Sequence, residues 1–62
     1  MKDNNKFIVA RKDVSVPGQI RQGKVLGRYR EREFAERDRY TLAERAGCHA
    51  WQVGVWYKGK LI

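Results

Sequence analysis

Residues 48–58 read Cys48-His49-Ala50-Trp51-Gln52-Val53-Gly54-Val55-Trp56-Tyr57-Lys58, and two structures compete for them. As a strand the stretch alternates, with Trp51, Val53, Val55 and Tyr57 on one face and Gln52, Gly54, Trp56 and Lys58 on the other. As a helix it becomes the second half of a two-helix unit that opens at Thr41. Glycine inside a helix costs about 1 kcal/mol relative to alanine, and the valines flanking Gly54 favour strands. The expected element is a strand, with Trp51, Val53 and Val55 buried.

Just before this stretch, Glu31 to Ala46 has the marks of a helix. Glu31 and Glu33 suit the positive end of the helix dipole, Glu33 and Arg37 form an i,i+4 pair in the favoured order, and Gly47 suits a C′ position. Ala35, Leu42, Ala43 and Ala46 share a face, but Arg39 sits in its middle. That arginine must snorkel, or the helix must break. The capping-box pattern Thr41-x-x-Glu44 marks Asp38–Thr41 as the place for a break.

Earlier still, Lys6 to Lys12 reads as a short strand with Phe7 and Val9 on one face. Pro17-Gly18 marks a loop over Val14 to Gly23. Lys24 to Arg30 reads as a second strand, with Val25, Gly27 and Tyr29 pointing one way and Leu26, Arg28 and Arg30 the other. Residues 1–5 form a polar tail. The expected fold is α+β: a small three-stranded antiparallel sheet with one helix packed on it, in the order strand-strand-helix-strand. Its expected core is Phe7, Val9, Val25, Tyr29, Phe34, Leu42, Ala46, Trp51, Val53 and Val55.

The chain has 62 residues, one domain that buries only about 60% of its unfolded surface. That leaves little room for a catalytic cleft. Lys and Arg total 14 against 7 Asp and Glu, a net charge of +7, which favours acidic partners such as nucleic acid or an acidic protein surface. The excess is uneven. Residues 1–30 carry eight positive and two negative charges, and residues 31–47 carry four and five. Cys48 is the only cysteine, so no internal disulfide can form and a reduced cytoplasmic setting is expected. No apolar run approaches the ~20 residues of a membrane span.

On the sheet face away from the helix, the alternation gathers Ile8, Ala10, Lys12, Leu26, Arg28, Arg30, Gln52, Trp56 and Lys58. An exposed Trp56 ringed by Lys12, Arg28, Arg30 and Lys58 has the make-up of an interface hot spot, or of a surface that stacks a base and holds phosphates. In the plainer alternative, Trp56 covers the second face with lysine and arginine stems. Arg21, Lys24, Arg28 and Arg30 form a basic run in or beside the long loop. Cys48 and His49 are adjacent, but two neighbours do not make a metal site, and they lack the orienting third group that a nucleophile pair needs. Ser15 is isolated, and Glu31, Glu33 and Glu36 read as helix surface. No enzyme, cofactor or metal is expected.

Two resemblances bear on function. Thr41-Leu42-Ala43-Glu44-Arg45-Ala46-Gly47-Cys48, followed by Val53 and Trp56, resembles the helix-turn-helix of phage repressors over residues 41–60. Its base-facing positions would be His49, Ala50, Trp51, Gly54, Val55 and Lys58, which lack the bidentate donors of direct readout. In size, in element order, and in the run Phe34-Ala35 … Tyr40 … Ala46-Gly47 leading into Trp51-Gln52-Val53, the chain resembles small phage-encoded proteins that bind host bacterial RNA polymerase. At least one of these has an acidic surface stretch absent here. The second resemblance implies a transcription regulator that docks on a polymerase subunit, inhibiting initiation, promoting terminator readthrough, or both; a monomer is expected. The alternative partner is DNA or RNA.

Overall fold

The computed structural model describes residues 6–62; the polar tail expected at residues 1–5 lies outside the described residues. The elements are β1 (Phe7–Asp13), β2 (Arg21–Tyr29), α1 (Arg32–Arg45), a single 3-10 turn (Ala50–Gln52), β3 (Val53–Tyr57) and β4 (Lys60–Leu61). The strands form one antiparallel sheet in the order β2-β1-β3-β4, so the α+β class is as expected. The sheet has four strands where three were expected. The extra one comes from a two-residue hairpin at Lys58-Gly59, where both residues have positive φ (52° and 79°). That is the backbone of a turn whose twist matches the flanking strands.

Helix α1 is continuous. It ends in a Schellman arrangement: Gly47 has φ 75°, its N–H donates to the Glu44 carbonyl, and the Cys48 N–H donates to the Ala43 carbonyl. The break considered at Asp38–Thr41 is absent because Arg39 snorkels. Its Nη1 donates to the Val53 carbonyl at 3.4 Å and its Nη2 reaches the Tyr40 hydroxyl, although its buried Nε has no partner among the described residues. The expected Glu33–Arg37 pair gives way to Arg32–Glu36 and Arg37–Asp38.

The helix packs one face of the sheet. Val9, Ala35, Ala43, Val53 and Val55 are buried there, with Phe7, Leu26, Tyr29, Leu42 and Cys48 packed around them. Phe7 and Tyr57 are cross-strand partners and stack at 4.5 Å. Close approach of the helix depends on Gly27, where a Cβ would stand 3.0 Å from Leu42 Cδ1.

Four residues expected in this core are elsewhere. Phe34 is exposed and lies beneath the Arg37 guanidinium. Ala46 is exposed in the cap. Val25 pairs with Ala10 on the other face, because the register slips between Val9 and Ala10 and brings Leu26 onto the core instead. Trp51 stands 69% exposed, because the chain makes a 3-10 turn before it enters the sheet at Val53. The helix considered for residues 48–58 does not form.

Candidate nucleic-acid interface

The far face of the sheet is closed by its own side chains. Trp56 lies on that face, as its alternation requires, but it is 3% exposed. It pairs with Ile8 on one side and Leu61 on the other. Gly54 supplies the space: a Cβ there would stand 2.7 Å from Leu61 Cδ1, 3.1 Å from the Trp56 ring and 3.3 Å from Lys12 Cε. The plainer reading of Trp56 is therefore correct. It is a second, small core under an apolar lid and a lysine stem, and it is not the exposed centre of a docking surface.

The other six expected site residues do not form one ring. Because Phe7 pairs with both Tyr29 and Tyr57, Arg28, Arg30 and Lys58 gather at one end of the sheet. Lys58 occupies the β3–β4 turn, its ammonium 5.3 Å from the Tyr57 ring centre. Lys12 and Arg21 belong to the other end, where Lys12 pairs with Gln22 and Asp13 with Arg21, and Lys24 lies between. Arg21, Lys24, Arg28 and Arg30 are all exposed. They run along or just past β2, an edge strand whose nine residues give roughly 30 Å of reach.

Charge separates the hairpin from the helix. From Lys6 to Arg30 there are seven cations and one carboxylate, Asp13. Every ion pair among the described residues involves helix side chains, which leaves the hairpin cations available. Asp13 accepts from the Ser15 N–H at 3.0 Å. That bond, with the nearby Arg21 charge, holds its carboxyl below the usual carboxylate value. On the helix side, burial and the neighbouring Asp38 carboxylate raise the Tyr29 hydroxyl above its ordinary value.

Two residues outside the expected set complete the basic end. Arg11, Lys12, Val14, Trp51 and Gln52 line an open cleft of about 310 Å³. Trp51 is held at its rim by the 3-10 turn, which is tied by reciprocal bonds: the His49 N–H donates to Gln52 Oε1 and the Gln52 N–H to the His49 carbonyl, both at 2.9 Å. The His49 ring lies parallel to the indole at 6.0 Å. Trp51 and Arg11 were missed because alternation placed Trp51 inside the strand. The available signal was His49-x-x-Gln52, a turn-start spacing that opens two residues after the helix-ending Gly47. The Cys48 thiol points to the Ala43 carbonyl while His49 is exposed, so these neighbours diverge.

No helix among the described residues is long and apolar enough to cross a membrane. No family model, curated protein or solved structure matches this chain.

Proposed function

We propose that this protein binds nucleic acid, with the phosphate backbone lying along the basic β1–β2 hairpin. The observation that carries the reading is the unpaired positive charge of that hairpin: seven cations against one carboxylate, with the ion pairs among the described residues confined to the helix. Cations not engaged with the protein's own carboxylates can release counterions from a polyanion, and that release drives backbone binding. Helix α1, with most of the acidic residues, covers one face of the sheet. The polyanion therefore approaches from the edge strand and the far face.

The reading as a regulator docking on RNA polymerase came from a resemblance in size, element order and sequence run, and Trp56 was the side chain assigned as its docking anchor. With that side chain buried it loses its apolar anchor, since interface centres need a large accessible side chain.

Fluorescence anisotropy with labelled oligonucleotides, titrated with salt, tests the proposal. The expected log–log slope is about −0.7 for each phosphate neutralised on a single strand, and Arg21→Ala with Lys24→Ala should flatten it. Absence of binding at about 50 mM salt would overturn the proposal. So would recovery of polymerase subunits from nuclease-treated lysate by a protein that ignores oligonucleotides.

A further inference from the structure

The cleft at the open end of β1 combines three features that the backbone-binding reading does not use. Its rim is a tryptophan left 69% exposed, more than any other large apolar side chain among the described residues, and one short turn held by paired hydrogen bonds fixes its position. Two cations, Arg11 and Lys12, line it, and no carboxylate does. Gln52 also lines it. The Oε1 of Gln52 accepts from the His49 N–H, which leaves the Nε2 hydrogens as donors to whatever enters.

We propose that this cleft takes one unpaired base of a single-stranded nucleic acid, stacked on the indole of Trp51, with Arg11 and Lys12 on the adjoining phosphates. The proposal rests on the nucleic-acid reading and narrows it from any phosphate backbone to single strands. An aromatic face beside cations matches a nucleotide, whose base offers a flat π surface and whose phosphates carry the charge. A base inside a duplex cannot present its face to a side chain, so stacking of this kind selects unpaired nucleotides. The cleft volume lies at the small end of ligand sites, which suits one base. Arg21 pairs across from Asp13 next to this cleft, so the strand can continue from the cleft onto the β2 edge without crossing the helix.

Two probes test it: a labelled oligothymidylate of about 12 nucleotides, within the range of single-strand site sizes, and a duplex of the same length. Both are titrated into the full chain at low salt. The intact protein should bind the single strand more tightly, with quenching of tryptophan emission. Trp51→Ala should weaken single-strand binding roughly tenfold or more, far more than it weakens duplex binding, while Trp51→Phe retains most of the affinity. Because Trp51 is exposed, the alanine variant should fold, and the remaining emission from buried Trp56 reports that directly. Unchanged single-strand affinity in Trp51→Ala would overturn the base site while leaving backbone binding intact. Loss of all oligonucleotide binding in the parent protein would end both readings. Trp51-dependent binding of a polyglutamate peptide as tight as that of the oligonucleotide would overturn the proposal in favour of an acidic protein partner.

Discussion

Trp56 and Trp51 stand on either side of the same short strand entrance and have opposite surroundings. Trp56 is sealed between Ile8, Gly54 and Leu61; Trp51 projects from a turn beside Arg11 and Lys12. The contrast shows what makes an aromatic residue structural or available in so small a domain. A side chain on the uncovered face of a sheet can still be buried if a neighbouring glycine gives it room and a short strand folds back over it. A side chain with the periodicity of the core can be left outside if the chain has not yet joined the sheet.

The largest expected effect separates the two residues outright. Trp56→Ala should cost about 3–5 kcal/mol, enough to unfold much of a domain this size. Trp51→Ala should stay within about 0.5 kcal/mol of the parent. Urea midpoints of the two variants check this, and equal losses would break the comparison.

Gly54 sharpens it from the other side. Gly54→Val inserts atoms where Leu61 and Trp56 already lie, and such overpacking should destabilise by roughly 1–3 kcal/mol. Thermal unfolding measures that loss, and a neutral result would mean that the Trp56 lid is loose. The β3–β4 turn that carries this lid has Lys58 at φ 52°, a conformation asparagine tolerates better. Lys58→Asn should therefore stabilise the fold by roughly 0.5–1 kcal/mol, seen as a higher urea midpoint.

The smallest effect belongs to the Trp51 end. Asp13→Asn keeps an acceptor for the Ser15 N–H but removes the single carboxylate of the hairpin. Single-strand affinity should rise roughly two- to fivefold at low salt, and the gain should fade as salt rises. Asp13 adds its own pH dependence. Its folded value is depressed, so its contribution to stability is present above its unfolded value and is lost as pH falls through the folded one. Acid titration of the Asn variant against the parent isolates that limb.

Periodicity and turn chemistry are local properties, and they determined a good deal here. The end of the helix at Gly47, the inward faces of Val9, Val53 and Val55, and the outward face of Trp56 were all legible in residue order. So was the concentration of positive charge before residue 31. Tertiary structure alone decided which of these residues met water. Whether Trp56 was covered depended on β4 returning over Gly54, and whether Trp51 was covered depended on where the chain entered the sheet. Val25 and Leu26 exchanged faces because an extra residue in β2 shifts the register between Val9 and Ala10, before a second shift ahead of Lys12. Alternation along a strand names its two faces; what lies on each is fixed by the neighbouring strands and the helix that pack against it.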